Sequence, residues 1–155
     1  MADTSNNHNL ITKNLVYTLE HPIRQKRTSH LIYAQDMRVI SHLPHKNYFY
    51  PDIAIVENLP LFDDENKDVL VNPILIIEVL SDTTESFDRG DKFKSYSHIS
   101  TLKEYFLVSQ EGKCIEQFYK NTSGNWEIGS VITEGTEKMK TIPFELSIEQ
   151  VYLNM

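Results

Sequence analysis

The chain predicts a mixed-sheet α/β fold, and three features of its 155 residues carry that prediction. Leu10, Ile11, Leu15, Val16 and Leu19 recur at helical spacing near the start. The stretch ILIIEVLS, Ile74 to Ser81, is continuous and aliphatic at strand length, so it belongs at a sheet centre covered on both faces. Several short runs bounded by turn residues then read as further strands. The order is helix, strands, helix, strands, helix. At this length residues 1–155 form a single domain with a sizeable core of its own.

Each element has its own local reason. Pro22 ends the first helical pattern, because it lacks the N–H that would continue the ladder. HLIYA and MRVISHL follow as short strands. YPDIAIVE is a strand with Pro51 at its start, where a missing donor matters least. ENLPLFDDENKD and the residues up to Pro73 are loop. After ILIIEVLS, Ser81, Asp82, Thr83 and Thr84 offer N-caps for a helix to about Ser97, with Phe93 and Tyr96 on its apolar stripe. EYFLVS, KCIEQFYKN and NWEIGSVI are strands joined by the turns QEGK and TSGN. Ser147 caps a last short helix, IEQVYL.

Composition excludes some function classes. No apolar run reaches the roughly 20 residues of a membrane span, and MADTSNNHN is too polar for a signal peptide. The lone Cys114 forms no intrachain disulfide, which fits a reducing cytoplasm. A net charge of −7 argues against broad, nonspecific affinity for nucleic acid. Local cationic stretches remain at RQKRTSH (Arg24, Lys26, Arg27) and KFK (Lys92, Lys94).

The chemistry concentrates around one oddity: Glu78 stands inside an aliphatic strand, where a carboxylate needs a partner. Asp52 opens the preceding strand, and neighbouring strands would bring the two acids together. Close carboxylates repel, and a hard divalent cation such as Mg²⁺ or Mn²⁺ reconciles them. Lys92, on the helix leaving the Glu78 strand, is placed to reach the same point and stabilise developing negative charge on a phosphodiester. A plainer reading stands beside this one. Glu78 pairs with a basic side chain, Asp88 and Lys92 form an exposed i,i+4 ion pair, and Tyr96 is core.

YPDIAIV, IIEVLSDTTESFDRGDKFKSY and LKEYFLVS closely resemble the Uma-two family of restriction-endonuclease-like proteins, assigned to the PD-(D/E)XK nuclease superfamily. The resemblance runs from His8 to about Leu153. It implies a restriction-endonuclease-like mixed-sheet core flanked by helices, and Mg²⁺- or Mn²⁺-dependent hydrolysis of DNA. Asp52 matches the Pro-Asp motif and Glu78 the acid of the second motif, so both are implied as metal ligands. Leu80 stands where a lysine is usual, and Lys92 matches a helical lysine that supplies the charge from a migrated position. Asp88, Tyr96 and His8 match further recurrent positions, with supporting roles. Relatives usually carry an upstream Tyr-Glu-Leu stretch whose glutamate joins the metal site, so the expected site lacks that carboxylate. The implied partner is DNA, with a homodimer suited to cutting two strands. Two alternatives share these residues: an inactive, dimeric binding module, and a nuclease acting on RNA.

Overall fold

The computed structural model describes residues 5–155. Helix α1 (Asn6–Lys26) is capped by Ser5, whose hydroxyl oxygen accepts the His8 N–H at 3.0 Å. It buries Ile11, Leu15, Leu19 and Ile23, one residue per turn. Pro22 does not end it. Proline already holds a helical φ and removes only the N–H directed at Thr18, so the helix runs on for another turn. It stops at Arg27, which turns left-handed at φ 49° and returns its N–H to Arg24.

The strands are β1 (His30–Ala34), β2 (Arg38–Ser41), β3 (Asn47–Phe49), β4 (Ile53–Glu57), β5 (Val69–Leu70), β6 (Leu75–Leu80), β7 (Glu104–Ser109), β8 (Ile115–Lys120), β9 (Trp126–Ile132), β10 (Thr136–Lys138) and β11 (Glu145–Ser147). Six of them form one mixed sheet in the order β1-β4-β6-β7-β8-β9, in which β6 and β7 run parallel and the other pairs antiparallel. A smaller sheet, β3-β2-β5, packs nearby, and β10 pairs with β11. The strands β3, β5, β10 and β11 have two or three residues each, too few to show a period in sequence.

Strand β6 is buried along its whole length, as a continuous aliphatic run requires. Its odd-numbered residues Leu75, Ile77 and Val79 meet α1 in one core. Its even-numbered residues Ile76 and Leu80 meet Tyr96, Tyr105, Leu107 and Val39 in a second core on the other face. Glu78 has the same parity as this second set.

The connection from β6 to β7 is helical but not uniformly α. It consists of α2 (Glu85–Phe87), a π turn (Asp88–Lys92) and α3 (Phe93–Tyr96). Thr84 precedes it without a side-chain cap, while the Ser81 hydroxyl oxygen accepts the Thr84 N–H at 3.2 Å. A final short helix, α4 (Ile148–Val151), follows Ser147, which makes no side-chain capping bond there.

Candidate active site

The site forms where β4 begins and β6 ends. Ile53 lies opposite Ile77 in that antiparallel pair, so one step further Asp52 lies opposite Glu78. Asp52 is fastened there by its surroundings. Its Oδ2 accepts the Val79 N–H at 2.8 Å, and its main-chain oxygen accepts the Gln35 N–H at 2.9 Å. Its Oδ1 stands 3.0 Å from His8 Nε2, on the first turn of α1.

Glu78 is only 2% exposed, and its partners come from the helical crossover. The Lys92 ammonium lies 2.7 Å from Glu78 Oε1, and the Tyr96 hydroxyl donates to the same oxygen at 3.0 Å. Lys92 also lies 3.1 Å from Asp88 Oδ1. The spacing of Asp88 and Lys92 suggests a surface pair, but the structure buries Asp88 and leaves the Lys92 side chain only 11% exposed. The π turn aims them at the sheet, and Tyr105 fixes the turn by donating its hydroxyl to the Asp88 main-chain oxygen at 3.0 Å.

Two carboxylates, Glu78 and Asp88, thus contact one ammonium, and a third, Asp52, lies opposite Glu78. The excess negative charge shows in the ionisable groups. Burial, opposed by Lys92 and reinforced by Asp52 and Asp88, pushes the Glu78 carboxyl up to about 8. Burial pulls the Lys92 ammonium down, but Glu78 and Asp88 outweigh it and its pKa rises. The hydrogen bond to Asp52 raises the pKa of His8 against the opposing pull of burial. Two buried polar atoms here lack an aligned hydrogen-bond partner. One is His8 Nδ1, and the other is Asp88 Oδ1, which is close to Lys92 but poorly oriented towards it. Among the described residues no group of three or more His, Cys, Asp or Glu side chains is arranged to hold a metal ion.

The structure therefore brings Asp52, Glu78, Lys92, Asp88, Tyr96 and His8 to one place. The contact of His8 with Asp52 has no local sequence signal, because it depends on how α1 lies across the sheet. The direct hold of Asp88 on Lys92 was visible only as an i,i+4 spacing.

Comparison with known proteins places the chain in a family. The model of the Uma2 family, described as "Putative restriction endonuclease", matches residues 1–153. The chain belongs to the Uma2 family. The uncharacterized protein sll1609 of Synechocystis sp. is 34% identical over 137 residues, which are 88% of this chain and 76% of that one. A second uncharacterized Synechocystis protein, slr1290, is 32% identical over 69% of this chain and 55% of its own length. Among solved structures, a putative nuclease belonging to DUF820 from Anabaena variabilis superposes with a TM-score of 0.72. At 16% identity, over 96% of this chain and 81% of that one, it shows a shared fold. The restriction-endonuclease-like α/β architecture of this Uma2 chain therefore rests on both the family match and the superposition.

Proposed function

We propose that this Uma2 chain is a single restriction-endonuclease-like domain that hydrolyses DNA phosphodiester bonds with a divalent metal, Mg²⁺ or Mn²⁺. The observation that carries the proposal is the group of Asp52, Glu78 and Lys92 gathered around a buried Glu78, with more carboxylates than ammonium groups. A site needing only one or two carboxylates, with water and substrate phosphate completing the shell, suits Mg²⁺. Asp52 and Glu78, opposed across β4 and β6, are the residues that would hold it. When bound, such an ion supplies an activated water and charge neutralisation at the phosphate.

The protein's own residues do the rest. Asp52 is held ready by the Val79 N–H and His8. Glu78 must shed its proton to hold a cation, so its raised pKa makes binding competitive with protons. The Lys92 ammonium, held beside Glu78 and Asp88, is the positive charge that would face the phosphate oxygens, where a preorganised charge stabilises the transition state. Tyr96 and Asp88 fix the approach of Glu78 and Lys92.

One observation favours a second reading. The Lys92–Glu78 ion pair and the Tyr96 hydrogen bond already satisfy Glu78 without a metal, as expected of a nuclease fold kept as a binding module. Cleavage of supercoiled plasmid, of single-stranded DNA and of RNA, in Mg²⁺, Mn²⁺ or EDTA, separates the two. Nicking that needs metal and disappears in Asp52→Ala supports the nuclease. Equal nicking by both proteins marks a contaminant. Cleavage of RNA alone reassigns the substrate, and no cleavage of any of these leaves the binding module.

A further inference from the structure

The outer stripe of α1, opposite its core stripe, is open. Asn9, Lys13, Val16, Tyr17, Glu20 and Arg24 line a groove of about 540 Å³ between this helix and the end of β1. Its walls are mainly apolar atoms. Beside it Tyr17 is 69% exposed and stacks on His21 with ring centroids 5.7 Å apart, so the pair stands up as a ridge. A ridge next to a groove is the shape of a surface that can meet a copy of itself.

The residue order carries the same message. Let α1 cross an antiparallel second α1, with the twofold axis passing between Val16 and Tyr17. Lys13 then lies opposite Glu20 of the second copy, Asn9 opposite Arg24, and Val16 opposite Tyr17. Each contact occurs twice, as an isologous interface requires. The two charges that face each other have opposite sign, and the apolar residues meet at the centre. That is an apolar middle with a charged rim.

We infer that this face of α1 is the contact between two copies of the chain, with the Tyr17 ridge of each seated in the groove of the other. Tyrosine suits the position because its ring adds a large apolar area while its hydroxyl stays at the wet rim.

Light scattering and sedimentation of the full chain across a concentration series test this. The expected mass is twice the 18.0 kDa of one chain. Tyr17→Glu, at a site already exposed, should give a folded monomer that melts like the parent at concentrations low enough to dissociate the parent. Lys13→Glu and Glu20→Lys should each weaken association by about tenfold or more, because like charges then meet twice. The double variant should recover it, since opposite charges face each other again. Glu20→Lys also breaks the Glu20–Arg24 pair within α1, but the double variant shares that loss, so recovery reports the intermolecular contact. A parent that stays monomeric overturns the inference. So does a dimer indifferent to Tyr17→Glu, or a double variant no better than the single ones.

Discussion

Two buried glutamates sit on neighbouring strands, and they behave in opposite ways. Glu104 opens β7 and is fully buried, yet its two oxygens are saturated by neutral donors. Gln117 Nε2 donates at 2.7 Å, the Lys140 N–H at 2.8 Å, the Thr141 N–H at 2.9 Å and the Thr141 hydroxyl at 2.6 Å. Glu78, on β6, meets an ammonium, a phenol and two other carboxylates instead. Fixed dipoles complete Glu104 and leave no task open. Ionisable groups surround Glu78 and leave the local charge unbalanced. Burial of an acid is therefore not a mark of a site; the charge balance of its neighbours is.

The sharpest break in this comparison is Glu104→Ala. It orphans an amide, a hydroxyl and two main-chain donors at once, so it should destabilise by about 4 kcal/mol, read from urea unfolding. If Glu104 proves dispensable, the contrast fails. Lys92→Ala should lower metal-dependent cleavage by about 10²-fold or more. Unchanged rates would remove Lys92 from the chemistry.

Glu78→Gln tests the charge imbalance through pH. The folded state holds the Glu78 proton up to about pH 8, against an ordinary value of 4.5. The native form thus binds more protons than the unfolded chain between those values, and stability falls as pH rises through that window. His8 acts in the same direction, its contribution being lost as pH climbs through its raised folded value, and Lys92 matters only above its ordinary 10.5. Between about pH 5 and pH 9 the parent should therefore lose more stability than Glu78→Gln, and parallel urea midpoints would refute the imbalance. The mildest change is Asp88→Asn, which leaves Lys92 one of its two carboxylates. It should cost about 1 kcal/mol and slow cleavage several-fold, and a larger loss in cleavage would give Asp88 a direct role.

Much of the scaffold was legible in the sequence, for definite reasons. The apolar spacing of α1 and the uninterrupted aliphatic run of β6 report burial directly, so both were found. The β7, β8 and β9 hairpins carry their own turn residues, and Gly124 takes the positive φ of 83° that its turn needs. Within the site, Glu78 stood out as a carboxylate inside an apolar run, Asp52 by opening the neighbouring strand and Lys92 by its place on the helix that follows. His8 was legible only through the family resemblance, since nothing local ties it to Asp52. Glu104 was unreadable for a similar reason: its donors come from the next strand and from a distant turn. Pro22 misled because proline's helix-breaking cost is real but was absorbed by the packing of the turns on either side of it.

The π turn has a consequence for what lengths this chain tolerates. Such a turn holds one residue more than an α turn would, and Gly90 lies within it. No heavy atom lies within 4 Å of where a Gly90 side chain would begin, so the position accepts substitution. It should also accept removal. The π turn takes up one residue more than an α turn for roughly the same rotation, so deleting Gly90 and rewinding the segment as ordinary α-helix would leave Lys92, Phe93 and Tyr96 facing Glu78 and the second core. Asp88 and Lys92 would then stand three residues apart instead of four, still on one face. Between Asp88 and Tyr96 the crossover thus tolerates a change in the number of residues as well as in the identity of the one in the middle.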